Sequence, residues 1–430
     1  MSNTNKNTLS QAELVQQSLK KRYRAEKRFR FFGFMSIWVG VIALALLFVE
    51  IFGSGIGGFQ QTHIQMTVKF DPEILEISDA TDKDQIRNGF YDGVIREALR
   101  DRFPDATSRT DKRDLYSLIS IGAAFELRDQ LAAHPDLLGQ ERTLWLLADD
   151  DVDTYFKSKG AGDAFTSRTS DKQLLRIKSL IDEGQIKKQF NTRLFTSGDS
   201  SEPEMAGILG AVTGSLLTLL VTFLLSFPIG VAAAVYLEEY APRNHFTDFI
   251  EVNISNLAAV PSIIFGLLGL AVFINLFGMP RSIPLVGGLV LTLMTLPTII
   301  ISSRNAIKSV PPSIREAALG IGASKMQMIL HHVLPLALPG MLTGAILGMA
   351  QALGETAPLL MIGMVAFIMD VPGGISDPAT VLPVQIFLWS DSPERAFVER
   401  TSAAIMVLLF FLICMNTLAV ILRRRLERRW

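Results

Sequence analysis

Six long apolar runs constrain the fold of this chain more than any other feature of its sequence. A transmembrane helix needs about 20 residues to cross the hydrocarbon core of a bilayer. The runs reach about that length or exceed it, and they lie near residues 31–52, 207–236, 252–277, 284–303, 337–368 and 402–422. The mean hydropathy of +0.32 is high for a soluble globular chain. The sequence therefore predicts a multi-pass membrane protein whose core is an all-α transmembrane helical bundle.

Basic residues at the two ends of the chain indicate its orientation. The segment "KKRYRAEKRFR" precedes the first apolar run, and "RRRLERRW" follows the last one. Because basic segments that flank a span stay in the cytoplasm, we expect both termini, residues 1–30 and 426–430, on the cytoplasmic side. The first run, 31–52, is too long for a signal peptide and no A-x-A-like cleavage site follows it. We interpret this run as a membrane anchor.

Residues 53–206, between the first two runs, have the composition of a soluble protein, so we expect them outside the membrane. The apolar side chains of "HIQMTVKF" alternate with polar ones, which is typical of a half-buried strand. Residues 112–132 place several apolar side chains near one face of a helix. These patterns predict an inserted α+β extracytoplasmic domain. The polar stretch 196–207 is interpreted as the linker back to the membrane.

Several motifs that would indicate chemistry fail or are absent. "DDDVD" places Asp149, Asp151 and Asp153 at positions one, three and five of an EF-hand loop, but Thr154 stands where glycine is required. We interpret it as a solvated acidic turn and expect no metal site. The sequence contains no G-x-x-x-x-G-K-[ST], H-E-x-x-H or G-x-S-x-G motif, so we expect no catalytic residue and no bound cofactor. A net charge of −1 gives no indication of nucleic-acid binding.

The loop "SVPPSIREAALGIGASKMQMILHHVLP", residues 309–335, follows the fourth run. Pro312 suits the first turn of a helix, and Ser313 and Glu316 have capping-box spacing. Two glycines would break this helix, and "SKMQMILHHVL" can form a second one before the chain re-enters the membrane. Long ordered loops are usually functional, which makes this loop a candidate site.

The segment "EAALGIGASKMQMILHHVLP" resembles the EAA loop of ABC-importer permeases. The residues that match this motif are Glu316, Ala317, Ala318, Gly322, Leu334 and Pro335. His332 departs from the pattern, because the family usually has isoleucine there. In that family the loop docks into a cleft on a cytosolic ATPase. The resemblance therefore implies that these residues couple the chain to a partner ATPase, which is the subunit that uses ATP.

Two further stretches resemble the phosphate-importer permeases of the PstA and PstC type. They are "NLAAVPSIIFGLLGLAVF", residues 256–273, and "GMAQALGETAPLLMIG", residues 348–363; "GETAPLL" favours PstA. With the EAA loop, taken as 304–335, the resemblance covers residues 207–425. It implies a type I ABC-importer permease core in that region. The residues before it look like an extension of the minimal permease.

This resemblance implies a permease subunit in the bacterial inner membrane that translocates inorganic phosphate and is not itself an enzyme. The partners it implies are a PstC-like permease, a PstB-like ATPase dimer and a PstS-like periplasmic phosphate-binding protein. Two alternatives remain open. One is an ABC permease for another oxyanion or small solute, and the other is a membrane-anchored sensor or assembly protein that acts through its outer domain.

Glu355 lies inside the fifth apolar run, where a carboxylate is costly unless it faces the bundle interior or an aqueous path. A translocation-path role is favoured over a helix–helix hydrogen bond. An ionised carboxylate repels phosphate, so the path also needs a cation. The family pattern commonly has arginine within a turn of this glutamate, but Gln351 stands here, which leaves Arg304 or an arginine of a partner permease. The residues expected to line the path are Glu355, Thr356, Gln351, Asn256, Ser262 and Arg304.

Overall fold

The computed structural model describes residues 11–79, 81–158 and 170–426. The chain divides into two units, residues 1–53 and 54–430. The strands are β1 Gln60–Lys69, β2 Glu141–Leu147 and β3 Ile186–Phe190. The helices are α1 Gln11–Gly58, α2 Pro72–Leu75, α3 Lys83–Asn88, α4 Tyr91–Arg102, α5 Arg109–Tyr116, α6 Gly122–Ala133, α7 Asp150–Lys157, α8 Asp171–Asp182, α9 Arg193–Thr196, α10 Leu209–Val235, α11 His245–Leu257, α12 Ser262–Gly269, α13 Pro284–Lys308, α14 Pro312–Gly320, α15 Lys325–Met328, α16 Leu334–Gly354, α17 Ala357–Met361, α18 Leu382–Ser390 and α19 Ala396–Leu426. Unit one contains most of α1.

The α+β domain is built on a three-stranded sheet in which β1 lies between β2 and β3 and is antiparallel to both. Ile64, Val68 and Phe70 are fully buried, which confirms the alternation predicted for this strand. Helices α4 and α6 pack beside the sheet. Their contacts with it close a single apolar core, whose helical members include Leu99, Leu115, Leu127, Leu131 and Ile177.

The helical face predicted over residues 112–132 belongs to two helices rather than one. The chain leaves α5 at Ser117 and becomes extended, because Ile119 forms a β-bridge with Ala148 and the Ser120 N–H donates to the carbonyl oxygen of Leu147 at 3.0 Å. Helix α6 then begins at Gly122. Pairing with the end of the sheet therefore interrupts a periodicity that sequence alone presents as continuous.

The first and last residues of the α+β domain lie next to each other in space. The Asn191 side-chain amide donates to the carbonyl oxygen of Gly58 at 3.1 Å, and the Asn191 N–H donates to that of Phe59 at 2.8 Å. The segment after it packs against the bundle: the Trp389 indole N–H donates to the Asp199 carboxylate at 2.9 Å. The predicted linker is thus an ordered part of the interface between the domain and the bundle.

Five described helical segments have the length and composition of membrane spans, and a sixth exists if a bent pair is one span. The five are Lys21–Gly58, Leu209–Tyr240, Pro284–Lys308, Lys325–Gly354 and Ala396–Arg425. The bent pair joins His245–Leu257 to Ser262–Leu276 at an angle of 100°. The run 252–277 is therefore not a single straight helix. Pro261 lies at the break, where it has no N–H to continue the helical hydrogen bonds.

The fifth run, 337–368, is also broken. Helix α16 ends at Gly354, Glu355 adopts an extended conformation with ψ of 126°, and α17 occupies only five residues. Pro358 lies in the first turn of α17, the one place in a helix where proline fits without strain. Glu355 consequently lies at a helix end rather than in the middle of a continuous span.

Helix α13 packs between α10 and α16, and small residues bring these helices close together. A side chain at Gly344 would collide with Ser302, and one at Gly340 would lie 2.7 Å from the Ala306 methyl group. These pairings make α16 antiparallel to α13. We call the end of the bundle that carries the EAA loop the loop end, and the end that carries the α+β domain the domain end.

Candidate functional site

The EAA loop consists of two helices separated by a tight turn. Helix α14 ends at Gly320, and Gly322 has φ of +91°, a left-handed conformation that strains any other residue. The capping box lies at Ser324 and Gln327, at the start of the second helix. The prediction of a capping box at Ser313 was wrong, because Pro311 precedes α14 and no side chain caps it. The two-helix arrangement itself follows the predicted pattern.

The second helix of the loop is continuous with a membrane span. Segments α15 and α16 join through a π-helical segment, Ile329–Val333, into one helix that runs from Lys325 to Gly354. Proline removes one helical hydrogen bond and clashes with the carbonyl group four residues earlier. The π-helical segment is wider than an α-helix, and it lies directly before Pro335, where it gives the proline ring room. Leu334 and Pro335 therefore lie where the loop becomes the span.

Arg315 anchors the loop to the bundle. Its guanidinium donates to the carbonyl oxygens of Val310 at 2.6 Å and Ile307 at 2.9 Å, near the end of α13. It also donates to the Glu239 carboxylate at 3.0 Å. Ala318 is only 3% exposed and belongs to an apolar cluster with residues of α10, α13 and α16. These contacts hold one face of the loop against the loop end of the bundle.

The opposite face of the loop is exposed and partly apolar. Glu316, Ala317 and Gly322 are all exposed. Ile321 is 82% exposed, and Leu319 and Met326 are exposed beside it. The EAA-motif residues thus divide by role: Ala318 packs inward, Leu334 and Pro335 form the junction with the span, and the other three face outward. An apolar surface of this kind is typical of a protein interaction site.

Glu355 is half-buried, and no described residue hydrogen-bonds or forms an ion pair with its side chain. Gln351 lies one turn earlier on the same face of α16 and is exposed. Thr356 follows directly, and its carbonyl oxygen accepts the N–H groups of Leu359 and Leu360. The break in the helix therefore places Glu355 in an irregular segment at a partly open surface.

The two phosphate-permease-like stretches contact each other. A Cβ atom added to Gly266 would lie 2.6 Å from the Cα atom of Pro358, so α12 and α17 touch backbone to backbone. Gly269 approaches Ile362 three residues later. The order of these two contacts shows that α12 and α17 run in the same direction, and Ser262 begins α12 one turn before Gly266. Asn256 lies beyond the 100° bend and is exposed.

Arg304 lies in a different environment from Glu355. Its guanidinium binds Glu251 at 2.5 Å and Glu238 at 3.5 Å. Because Ser302 faces Gly344, Arg304 lies roughly 20 Å from Glu355 along the helix axes, at 1.5 Å per residue. Within this chain Arg304 is therefore not the cation beside Glu355; it ties together three helices at the loop end.

A buried charge network joins the α+β domain to the domain end of the bundle. Arg400, only 3% exposed, donates to the Gly58 carbonyl oxygen at 3.1 Å. Lys157 binds Asp153 at 2.6 Å and Glu399 at 3.0 Å. The carboxylates come from the domain and from the first turn of α19. Sequence reasoning missed this network, although charged residues at the start of an apolar run were a visible signal.

The interpretation of "DDDVD" as a solvated turn was wrong, because these residues begin helix α7. Asp149 caps the helix by accepting the Asp151 N–H at 3.2 Å, and Asp153 is buried. Burial, together with the charges of Asp150 and Glu204, raises the pKa of the Asp149 carboxyl group to about 9. Burial likewise raises the pKa of Glu204 to about 7. At neutral pH the Asp149 carboxyl group therefore favours the protonated form, whereas the Glu204 carboxyl group changes its protonation state near pH 7.

The raised pKa values of Asp149 and Glu204 predict that the folded protein becomes less stable as pH rises. A carboxyl group whose pKa is higher in the folded state contributes its full stability below the unfolded pKa of about 4, and loses it as pH rises through the folded value. Stability should therefore fall between about pH 4 and about pH 9. Asp149→Asn keeps the helix cap but removes the charge, so it should raise stability at alkaline pH by about 1 kcal/mol.

This expectation is checked by thermal unfolding of the purified protein in detergent at acidic and alkaline pH. The matched control is Asp82→Asn, which changes the capping residue of α3 in the same way. Asp82→Asn should keep the wild-type dependence on pH. An Asp149→Asn variant with the wild-type dependence would contradict the assignment.

Comparisons with known proteins bear on both parts of the chain. Residues 226–430 match the family described as binding-protein-dependent transport system inner membrane component, and residues 16–164 match a domain of unknown function (DUF3333). The chain is 31% identical over 259 residues to the probable ABC transporter permease protein YqgH of Bacillus subtilis, covering 59% of this chain and 82% of YqgH. It is 30% identical over 223 residues to the phosphate transport system permease protein PstA of Haemophilus influenzae, covering 52% of this chain and 78% of PstA.

A further relative, the probable ABC transporter permease protein YqgI of Bacillus subtilis, is 37% identical over 172 residues. That similarity covers 40% of this chain and 58% of YqgI. The resemblance drawn from the three sequence motifs is confirmed by these matches. The family match at residues 226–430 contains the EAA loop and most of the bundle, whereas the match to residues 16–164 assigns no activity to the α+β domain.

Proposed function

The chain belongs to the inner-membrane permeases of binding-protein-dependent ABC transporters, and we propose that it forms part of the path for inorganic phosphate in an importer of that kind. As a permease it is a multi-pass protein of the inner membrane and not itself an enzyme; ATP hydrolysis belongs to a partner subunit. The phosphate assignment is supported by the relatives named PstA. The observation that carries it is the backbone contact between Gly266 and Pro358, which joins the two phosphate-permease-like stretches.

The proposed path runs past two helix breaks, one at Pro261 where α12 begins and one at Glu355 where α16 has ended. Irregular backbone inside a membrane protein is tolerated where it is buried in protein or lines an aqueous cavity. Glu355, Gln351 and Thr356 lie at one such break, and Ser262 begins the neighbouring helix α12 directly after the other. Asn256 extends the polar surface across the bend. These residues present hydrogen-bonding groups to a solute that must leave water.

The cation of the path comes from a second permease subunit. Glu355 has no ion-pair partner among the described residues, and Arg304 is bound to two other carboxylates. An arginine of a PstC-like partner would neutralise Glu355 and also offer donors to phosphate, since a guanidinium binds two oxyanion oxygens at once. The path is thus shared between two unlike subunits.

Coupling to ATP proceeds through the exposed face of the EAA loop. The apolar side chains of Leu319, Ile321 and Met326 fit a groove on a PstB-like ATPase, in the manner of a helix bound in a cleft. The continuous helix Lys325–Gly354 would carry movement of the loop to the segment beside Glu355. Because the ATPase is cytosolic, the loop end of the bundle is cytoplasmic, and so are both termini. The α+β domain is then periplasmic, on the side of a PstS-like binding protein.

Replacing Glu355 tests the path. Glu355→Gln keeps the shape of the side chain and removes its charge, so it should lower phosphate uptake by roughly tenfold or more, as expected when one charged group is lost from a preorganised site. The measurement is uptake of radiolabelled phosphate, dependent on the binding protein, in cells that lack their own phosphate permease. Sulfate is the competitor that tests the choice of solute.

The matched control for this test is Glu50→Gln, the same change at an exposed glutamate of the apolar helix α1. It should leave uptake unchanged. Normal uptake by Glu355→Gln, at normal membrane levels, would remove Glu355 from the path. A fully assembled wild-type transporter that takes up no phosphate would overturn the phosphate assignment itself.

A further inference from the structure

A basic pocket lies in the α+β domain, outside the proposed transport path. It has a volume of about 660 Å³, which is in the range of small-molecule sites. The residues that line it are Arg96, Thr107, Arg109, Lys112, Arg113 and Tyr116. We call this cavity the α4–α5 pocket. These described residues supply four cationic side chains and two hydroxyl groups, and none of them carries a carboxylate.

The spacing of residues on α5 explains how the cations converge. Arg109, Lys112, Arg113 and Tyr116 stand at positions i, i+3, i+4 and i+7, which lie on one face of a helix. Leu115 occupies another face and is fully buried in the domain core. One face of α5 therefore anchors the helix while the next one lines the pocket.

Helix α4 supplies the opposite wall. The Arg96 guanidinium lies over the ring of Tyr116, 5.4 Å from its centroid. This stacking favours a fixed orientation of the guanidinium and leaves its N–H groups available, because the ring face accepts none of them strongly. Arg96 and the α5 face thus enclose one space between two helices.

None of these four cations forms an ion pair with a described residue. Two acidic side chains close to α5 in the sequence are bound to cations outside the pocket: Asp111 binds Lys172 at 2.9 Å, and Asp105 binds Arg176 at 2.7 Å. The pocket therefore concentrates positive charge without a counter-ion among those residues. Four like charges around one space repel each other, and a bound anion would relieve that repulsion.

We propose that the α4–α5 pocket binds a phosphate-bearing anion larger than a single orthophosphate. Arginine forks bind phosphate oxygens in pairs, and the lysine and the two hydroxyl groups add single donors. Three arginines on two walls suit an anion with two phosphate groups better than one. This inference does not rest on the proposed transport function, because the pocket belongs entirely to the α+β domain.

Binding of inorganic pyrophosphate to the full-length chain tests the proposal. The purified protein is placed in phosphatidylcholine nanodiscs and titrated by calorimetry. The wild type should bind pyrophosphate, and Arg109→Gln with Arg113→Gln should weaken that binding at least about tenfold, since two bidentate contacts are lost. The matched control Arg87→Gln, at an exposed arginine of α3, should bind as the wild type does. If the double variant folds poorly, the single variant Arg109→Gln replaces it in this test, because Arg109 is exposed.

Nanodiscs that contain cardiolipin, a lipid with two phosphate groups, distinguish a lipid headgroup from a soluble anion as the ligand. Weaker pyrophosphate binding in these nanodiscs would show that a lipid headgroup occupies the same pocket, and unchanged binding would identify a soluble anion. No binding to the wild type in phosphatidylcholine would overturn the proposal. Equal binding by the wild type and a folded double variant would overturn it as well.

Discussion

A Gly322→Val variant is expected to lose phosphate uptake by roughly tenfold or more while its level in the membrane stays normal. Gly322 has φ of +91°, and a β-branched residue in that region is a genuine conformational outlier. Strain of about 2 kcal/mol would shift the equilibrium between this turn and other conformations by a factor of about thirty. The turn lies on the exposed face of the EAA loop, so its loss should impair docking of the ATPase.

The control for this prediction lies two residues away. Gly320 ends α14 without a positive φ, and a Cβ atom there would meet no other atom within 4 Å. Gly320→Val introduces the same side chain and should retain most of the uptake. Co-purification of the ATPase is the second measurement, and it should fall only for Gly322→Val. Full uptake and full co-purification by that variant would count against the coupling role of the loop.

Gly266→Val should abolish most transport by separating α12 from α17. The added side chain would lie 2.6 Å from the Cα atom of Pro358 and 2.7 Å from its carbonyl oxygen. Both atoms belong to the backbone and cannot move as a side chain does, so overpacking should cost about 1–3 kcal/mol. The two helix breaks of the proposed path would then shift relative to each other.

Uptake of radiolabelled phosphate measures this effect, with membrane levels determined in parallel. The matched control is Gly40→Val in the apolar helix α1, where a Cβ atom would meet nothing within 4 Å. That variant should transport as the wild type does. If Gly266→Val assembled normally and transported at the wild-type rate, the contact between the two stretches would have no part in the path.

The sequence predicts the positions of the membrane helices well because apolar length alone decides them. It does not predict where they break. Run 252–277 bends at Pro261, and run 337–368 ends its long helix at Gly354, although apolar residues continue on both sides of each break. Proline marks both places, but proline is also found at Pro228 within the unbroken helix α10. Packing against neighbouring helices decides between a kink and a break.

The sequence also does not predict which charged residues far apart in the chain form ion pairs. Arg304 was a candidate partner for Glu355, yet it binds Glu251, 53 positions away. Lys157 and Glu399 are 242 positions apart and nevertheless form an ion pair. Residue type indicates that such groups need partners, but only the fold brings them together. The two-helix form of the EAA loop was predictable because its determinants, proline and glycine within one short segment, are local; the position of its capping box, at Ser324 rather than Ser313, was not.

The pairing of Asn191 with Gly58 and Phe59 has a consequence for how the domain can vary. Because the chain leaves and returns at adjacent points, the module between them can change in size without changing the separation of its two ends. The α+β domain is a module of this kind.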